Sequence, residues 1–418
     1  MRYLFPLNPW NQQRQFEKAV WVYPAHIAAY ATYLRNEGHE VVWDYSYGDY
    51  EKICKCGSRM ETACHYQYTY TKSATCFKCN RFVEYGCDFQ LWTPKKYREE
   101  ELWARIDWKQ DENKMKHYDY EINNDFQIDV PFDKLPYPDR VFTDAKNKRW
   151  QSYGNYKFHP ATHMMASNLC WWGKCTFCVD TYKLEHGEKR GLRSVDHVME
   201  EIDDLISQGY REVFDDSGTF PIGDWLDEFC AKMLEKDRYK RIVIGCNMKP
   251  IAEKVVPFKL MKEAGFRFIL VGVESANQHT IDKIRKGQDS EKVMENLKAM
   301  NDAGLEIHLT SMFGYEWESH EDAMNTVNLV HELLKKGIVK TAQASVFSPP
   351  RTAPDPNSPG HRYIPMIYDA YKSHQFWYHK IKDIKKWQDF TYLIRGGRLV
   401  LEENLRKCML RVKKPSSN

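Results

Sequence analysis

The sequence lacks a long apolar run, a secretory leader and an excess of charge of either sign. Its most apolar stretch, residues 19–34, is too short to span a bilayer and contains Pro24 and His26. The first residues carry no apolar segment followed by a signal-peptide cleavage site. The 61 basic and 58 acidic residues leave a net charge of only +3, which argues against a dedicated polyanion-binding protein. We therefore expect a cytoplasmic protein that does not act at a membrane.

Internal repeats are also absent, apart from an alternation of strand and helix patterns. At about 150 residues per domain, the 418 residues predict two or three domains, and the aromatic content of 14% supplies apolar surface for their cores. Most of the 12 cysteines fall into two groups, at positions 54–87 and 170–178. In a reducing compartment, clustered cysteines are more often metal ligands than disulfides.

From residue 164 onward, strand patterns alternate regularly with amphipathic helices. The clearest helix begins after the N-cap residue Ser194 and carries its apolar residues on one face, and another spans 291–303. This order favours a parallel sheet curved into a full or partial barrel. The predicted strands are Met164–Leu169, Arg211–Asp215, Ile242–Asn247, Phe266–Glu274, Glu306–Phe313 and Thr341–Phe347.

The segments around this core have different patterns. Residues 1–50 predict a small α/β unit, in which a helix at Ala25–Arg35 ends at Gly38 and connects parallel strands at Arg2–Leu7 and Glu40–Asp44. Residues 96–125 predict a charged surface helix. The whole chain then divides into the α/β segment at 1–50, a Cys-rich insertion at 51–95, the charged helix with a Pro-containing linker at 96–160, the core at 161–350 and a helical C-terminal region at 351–418.

Three cysteines, Cys170, Cys175 and Cys178, follow the first predicted strand of the core. Thiolates favour iron–sulfur clusters, zinc or copper(I), and a closed zinc site or an ordinary cubane needs a fourth ligand. Three cysteines can hold a [4Fe–4S] cluster and leave its fourth iron open for a substrate. The loop also lies at the C-terminal end of a strand, where sites form in parallel α/β folds. A structural zinc site completed by a distant Cys or His is the alternative.

The loop resembles the signature of the radical S-adenosylmethionine (SAM) superfamily, Cys-x3-Cys-x2-Cys with an aromatic residue before the last Cys. Phe177 matches the aromatic residue, whereas four residues rather than three separate Cys170 from Cys175. The resemblance implies an α/β fold with a partial (β/α)6 radical SAM barrel. It also implies a [4Fe–4S] cluster on Cys170, Cys175 and Cys178, with SAM as the second cofactor.

Four further segments resemble motifs of the same superfamily, in the same order. They are Asp215-Asp216-Ser217-Gly218, Gly272-Val273-Glu274-Ser275, Ile284-Arg285-Lys286-Gly287 and Met312–Glu318, the last without the usual Pro. The resemblance implies that the SAM-binding residues are Phe177, Asp215, Asp216, Ser217, Glu274, Ser275 and Arg285. The alternatives are helix capping by the Asp and Glu-Ser pairs, a solvent-exposed Arg285 and simple packing of Phe177.

Residues 23–41 are similar to the first helix and turn of the cobalamin-binding domain that often precedes such a core. The cobalt-ligating pattern of that domain is Asp-x-His-x-x-Gly, and the nearest match, Asp44-Tyr45-Ser46-Tyr47-Gly48, has Ser46 in place of His. The further βα units are missing, and Ser is a poor ligand for cobalt. We therefore expect a truncated, degenerate domain that does not bind cobalamin.

Two cysteine pairs in the insertion are spaced like the knuckles of a zinc ribbon. The first pair is Cys54 and Cys56, and the second is Cys76 and Cys79. Four thiolates can close a tetrahedral zinc site. An auxiliary iron–sulfur cluster and unligated thiols are the alternatives. Further potential ligands nearby are Cys64, His65 and Cys87.

The resemblance implies reductive cleavage of SAM, followed by hydrogen abstraction from a substrate or by methyl or methylthio transfer. We expect the substrate to be an RNA, a peptide or a small molecule, and the electrons to come from a reductant such as flavodoxin or ferredoxin. The alternative is a non-catalytic metal-binding module that engages nucleic acid through the zinc ribbon and a basic, aromatic helix at 377–387. The near-neutral net charge argues against this alternative.

Overall fold

The computed structural model describes the core of the chain and parts of its N-terminal region. The described ranges are 2–6, 23–44, 130–146, 156–251, 255–350 and most of 352–369, together with the backbone of short strands between 52 and 121. The described residues fall into two compact units, one within 1–19 and 34–127 and the other within 20–33 and 128–385. No helix in these ranges combines the length and the apolar character needed to cross a membrane.

The first unit contains two sheets. Its strands are β1 Arg2–Pro6, β2 Glu40–Asp44, β3 Lys52–Ile53, β4 Arg59–His65, β5 Thr71–Cys76, β6 Arg81–Gly86, β7 Asp107–Trp108 and β8 Tyr120–Glu121. One sheet is parallel with the order β2-β1-β8, and the other is antiparallel with the order β6-β5-β4-β3-β7. The parallel pairing of β1 with β2 confirms the prediction for these two strands.

Helix α1 spans Ala25–Asn36 and lies between β1 and β2 in the chain, as the sequence predicts. It ends at Gly38, whose φ of +82° is the left-handed conformation that favours glycine at a helix C-terminus. Strands β7 and β8, by contrast, fall within residues 96–125, so the helix prediction is wrong at those positions. Their backbones pair with β3 and β1, and partners so distant in sequence leave no local pattern.

The predicted zinc ligands are largely beyond what the structure describes. Cys54, Cys56 and Cys79 lie outside the described residues. Cys76 ends β5, and the structure describes only its backbone. The zinc site therefore stays a prediction.

The second unit is a curled half-barrel of six parallel strands. Neighbouring strands follow one another in chain order, so every C-terminal strand end lies at the same edge of the sheet. This arrangement confirms the predicted partial (β/α)6 barrel. The strands are β9 Ala161–Met164, β10 Glu212–Asp215, β11 Val243–Met248, β12 Phe266–Glu274, β13 Glu306–Phe313 and β14 Thr341–Val346.

Strand β9 ends at Met164, the residue at which the sequence predicts it to begin. The sequence predicts a strand at Met164–Leu169, but the strand runs from Ala161 to Met164, so this boundary is wrong. Beyond Met164, the backbone N–H groups of Ala166 and Ser167 donate to the side chains of Asp215, which ends β10, and Ser217, just after it, instead of to a neighbouring strand. The apolar pattern of this segment encodes burial, and burial does not distinguish a strand from a loop held by side chains.

Helices separate the strands of the half-barrel. In α3 the N-cap Ser194 accepts a hydrogen bond from the N–H of His197, as predicted, and the apolar residues of the helix are buried. A capping box formed by Ser319 and Asp322 begins α8. The helices are α2 Val179–Glu185, α3 Val195–Ser207, α4 Asp224–Glu235, α5 Phe258–Glu263, α6 Gln278–Lys283, α7 Val293–Asp302, α8 His320–Lys335 and α9 Ile364–Asp369.

Paired charges close the N-terminal edge of the half-barrel. Arg267, near the start of β12, donates to Glu212 at the start of β10 and to Glu306 at the start of β13. Glu212 also accepts the backbone N–H groups of Lys157 and Phe158, at 2.8 and 2.9 Å. Buried charges are tolerated only when they are paired, so we assign these charges a structural role. The opposite, C-terminal edge of the sheet is then the place to look for a functional site.

A buried ion triad fastens the 130–146 segment to the barrel. Glu201 of α3 is fully buried and accepts hydrogen bonds from Arg140 and Arg193. Arg140 also donates to the carbonyl of His163 in β9, at 2.8 Å, and Arg193 donates to the carbonyl of Met165, at 3.1 Å. Burial alone raises the pKa of Glu201, but the two guanidinium groups outweigh it and hold the pKa below its ordinary value.

Substitution of Glu201 tests the importance of this triad. Glu201→Ala leaves two buried guanidinium groups without their carboxylate, so we expect the free energy of unfolding, measured by urea denaturation, to fall by about 3–5 kcal/mol. Asp302→Ala is the control, because it removes the exposed Lys298–Asp302 pair and should cost less than about 1 kcal/mol. Equal losses in the two variants would contradict the assignment.

Candidate functional site

The loop that carries Cys170, Cys175 and Cys178 lies at the C-terminal edge of the half-barrel, after β9. Cys170 is buried, the other two are half-buried, and none of the three forms a disulfide. The N–H of Cys178 donates to the carbonyl of Cys175 at 3.1 Å, and Cys178 is the N-cap residue of α2. The first turn of a helix therefore fixes the direction in which the loop leaves the site.

Side chains from two neighbouring segments hold Cys170. Its backbone N–H donates to Oδ2 of Asp180 in α2 at 2.8 Å, and its thiol contacts Oγ1 of Thr219 at 3.2 Å. Gly218 lies against both, since a Cβ there would overlap the Asp180 carboxylate and contact Cys170. The glycine thus permits the close approach of the loop after β10 to the cysteine loop.

The predicted SAM-binding residues Asp215 and Ser217 lie under this edge. Both are fully buried. The Asp215 carboxylate accepts the N–H groups of Ala166 at 2.7 Å and Ser217 at 3.0 Å, and Ser217 Oγ accepts the N–H of Ser167 at 2.9 Å. Burial raises the pKa of Asp215 to about 7. These side chains therefore support the loop after β9, and their contact with SAM stays a prediction.

Asp216, between them in the chain, has a different environment. It is half-buried at the C-terminal edge of the sheet, and its N–H donates to the carbonyl of Met164 at 2.8 Å. Of the three predicted residues in this segment, Asp216 is the one whose side chain is partly accessible. Its role in SAM binding stays a prediction.

An ion pair connects the end of β12 with the 284–287 turn and lies beside the cysteine loop. Glu274 and Lys286 are both buried, and Lys286 Nζ lies 2.7 Å from Glu274 Oε1. Burial lowers the pKa of Lys286, but the Glu274 carboxylate more than compensates, and the pKa is raised. The same ammonium lies 5.7 Å from the centre of the Phe177 ring. Burial raises the pKa of the Cys175 thiol, and Lys286 opposes that effect. The pair therefore places both signs of charge beside the loop.

Ser275 uses its side chain to hold the start of α6, whereas Arg285 contacts the cysteine loop through its backbone. Ser275 is buried, and its Oγ accepts the N–H of Asn277 at 3.2 Å, just before α6. Arg285 is exposed, has a φ of +53°, and accepts the indole N–H of Trp172 with its carbonyl at 2.9 Å. Arg285 thus contacts the cysteine loop through its backbone carbonyl. For both residues, SAM binding stays a prediction.

Phe177 packs on an apolar cluster at the same edge. The cluster consists of Ile281, Ile284, Met312 and Tyr315, and Trp317 and Phe347 also pack against it. Trp317 stacks on Tyr315 with ring centres 5.4 Å apart and donates its indole N–H to Thr280 at 3.2 Å. This aromatic wall limits the access of water to one side of the cysteine loop.

Sequence reasoning missed three residues of the site: Asp180, Thr219 and Lys249. Lys249 follows β11 and is only 7% exposed. Burial, helped by the neighbouring ammonium of Lys286, lowers the pKa of Lys249 to about 8. Asp180 lies two residues after Cys178, and Thr219 directly follows the Asp215–Gly218 segment. In the sequence, only their positions, next to the cysteine loop or just after a predicted strand, could have indicated that these three residues belong to the site.

The donor set fits an iron–sulfur cluster. Three thiols lie on one nine-residue loop, with two ammonium groups, Lys249 and Lys286, close enough to favour the thiolate form of Cys175. Within the described ranges, no three His, Cys, Asp or Glu side chains converge closely enough to hold a single metal ion. The other cysteines with described side chains, Cys230 and Cys246, are fully buried.

Comparison with known proteins gives one family match. The family model of the Radical SAM superfamily matches residues 164–330. Two curated proteins are similar over part of the chain. GTP 3',8-cyclase of Helicobacter pylori is 22% identical over 139 residues, which are 33% of this chain and 42% of that protein. The tRNA-2-methylthio-N(6)-dimethylallyladenosine synthase of Thermodesulfovibrio yellowstonii is 26% identical over 182 residues, 42% of this chain and 41% of that protein.

This chain therefore spans less than half the length of either curated relative. Among solved structures, the cobalamin-dependent S-adenosylmethionine radical enzyme OxsB with aqua-cobalamin bound is similar at a TM-score of 0.41 and 16% identity. The match covers 68% of this chain and 37% of OxsB.

The Glu318 carboxyl group provides a pH test of the site's outer rim. Its Oε2 accepts the N–H of Gly314 at 2.6 Å, whereas its buried Oε1 has no hydrogen-bond partner among the described residues. Burial raises the pKa of Glu318 from 4.5 to about 7. The unfolded chain loses this proton first as the pH rises, so the group's contribution to stability is complete below about pH 4.5 and is lost as the pH passes 7.

We therefore expect Glu318→Gln, which mimics the protonated group, to match the wild type in acid. As the pH rises through 7, the variant should become the more stable of the two. Chemical denaturation at several pH values measures the difference. The buried Asp215 also makes stability depend on pH, but it does so equally in both proteins, so its effect cancels in the difference. A difference that does not change with pH would contradict the assignment.

Proposed function

We propose that this chain, whose residues 164–330 match the family model of the Radical SAM superfamily, binds a [4Fe–4S] cluster through Cys170, Cys175 and Cys178 and cleaves SAM reductively. The observation that carries the proposal is the placement of three thiols on one loop at the C-terminal edge of a parallel half-barrel. Among the cysteines whose side chains the structure describes, the other two, Cys230 and Cys246, are fully buried. Three cysteine ligands would leave one iron of the cluster for the amino and carboxylate groups of SAM.

When bound, the cluster would supply the single electron that breaks the sulfonium bond of SAM. The residues around it supply orientation and exclude water. Glu274 and Lys286 offer charges of both signs, as a zwitterionic amino acid moiety requires. We assign SAM binding to Phe177, Asp215, Asp216, Ser217, Glu274, Ser275 and Arg285. Asp215 and Ser217 would act by fixing the loop rather than by direct contact.

The reaction after SAM cleavage is hydrogen abstraction or methyl or methylthio transfer, on an RNA, a peptide or a small molecule. A reductant such as flavodoxin or ferredoxin would supply the electron. We place the enzyme in the cytoplasm, where thiols stay reduced. Cys54, Cys56, Cys76 and Cys79 would bind zinc. Cobalamin is left out of the proposal, because Ser46 stands where the cobalt-ligating His would be.

Anaerobic reconstitution with iron and sulfide tests the proposal. The wild type should acquire the brown absorbance of a cluster and release 5′-deoxyadenosine from SAM under dithionite. Cys170→Ala, Cys175→Ala and Cys178→Ala should each lose both properties. Cys230→Ala is the matched control, because this thiol is buried in α4 and should not be a ligand.

The alternative function gives the opposite result. Zinc at the 170–178 loop, no turnover of SAM and salt-sensitive binding of RNA would support a metal-binding module and contradict the enzyme.

A further inference from the structure

The additional residue in the cysteine loop lies in a segment that is docked on a neighbouring turn. Trp172, between Cys170 and Cys175, donates its indole N–H to the carbonyl of Arg285 at 2.9 Å. A Cβ on Gly287 would overlap the Trp172 ring, so this ring lies directly on the glycine. The N–H of Thr176, in the same loop, donates to the carbonyl of Ile284 at 3.0 Å. The loop therefore contacts the 284–287 turn at two points, Trp172 and Thr176.

Lys249 joins this contact from a third segment. Its Nζ lies 3.5 Å from the centre of the Trp172 ring and donates to the carbonyl of Gly287 at 3.2 Å. The ring of Trp171 is 5.7 Å from the same ammonium. One buried cation thus holds an aromatic face of the loop and a carbonyl of the turn.

The contact between Lys249 and Trp172 differs from an ordinary surface contact because the lysine is buried. A cation over an aromatic ring is worth more when water is excluded from both. Lys174 lies over the same Trp172 ring at 4.9 Å, but Lys174 is exposed. Lys249 is 7% exposed, and its charge lies close enough to interact with the thiols of Cys170 and Cys175.

We propose that Lys249 is a positioning residue that clamps Trp172, and with it the segment between Cys170 and Cys175, onto the 284–287 turn, where the three thiols take up the cluster. This proposal rests on the proposed function. The fixed ammonium would also stabilise the negative charge that the cluster gains with an electron, and so it would favour the reduced form.

Lys249→Met, Lys249→Arg and Lys174→Met test the clamp. After reconstitution, we expect a chelator to remove iron from Lys249→Met about tenfold faster than from the wild type. The midpoint potential of the cluster should become more negative, and the electron paramagnetic resonance spectrum of the reduced cluster should change. Lys249→Arg should restore all three properties, and Lys174→Met should leave them unchanged.

Amide hydrogen exchange of the cluster-free proteins separates the clamp from the proposed function. Lys249→Met should speed exchange in residues 170–178 and leave α8 protected, which also shows that the variant folds. A wild type that takes up no cluster would refute the proposed function and, with it, the role in cluster uptake, even if the exchange difference were present. Equal iron loss and equal potentials in Lys249→Met and the wild type would overturn the clamp alone. So would equal effects of Lys249→Met and Lys174→Met.

Discussion

The hydrogen bonds of the buried Asp215 carboxylate are the interaction on which the site depends. The carboxylate captures the backbone N–H of Ala166 in place of a strand partner, just after β9 ends at Met164, and it also accepts the N–H of Ser217 just after β10. The chain then turns out of the sheet and forms the cysteine loop at the C-terminal edge. Because a buried carboxylate must be satisfied by donors, the requirement of one side chain fixes the point where the sheet stops and the site begins.

Charged side chains have a structural role at the N-terminal edge of the half-barrel and lie beside the candidate site at the C-terminal edge. At the N-terminal edge, Arg267 pairs with Glu212 and Glu306, and Lys157 pairs with Glu306, so two cations face the two carboxylates. At the C-terminal edge, Glu274 and Lys286 form a pair within reach of the cysteine loop. A buried pair contributes little net stability by itself, but it sets a local field. That field, with Lys249, is what the thiols of the loop experience.

Much of the architecture was predictable because it depends on local patterns. The N-cap at Ser194, the glycine at position 38 and the limits of β12 and β13 follow from residue preferences and periodicity. The predictions failed where the local structure depends on contacts with residues far away in the sequence. Strand β9 is terminated by a side chain about fifty residues away, and β7 and β8 lie where charge composition predicted a helix. The positive φ angles of Glu274 and Arg285 are likewise imposed by surroundings, since neither residue prefers them.

The sequence by itself determined the class of the fold and the presence of three thiols in one loop after the first strand of the core, because strand and helix patterns and cysteine spacing are local properties of the chain. The tertiary structure decided which side chains surround the thiols. Asp180, Thr219 and Lys249 come from three different segments, and they meet because parallel strands deliver their C-terminal ends to one edge. Proximity of that kind is a property of strand order and register, and single residues carry no mark of it.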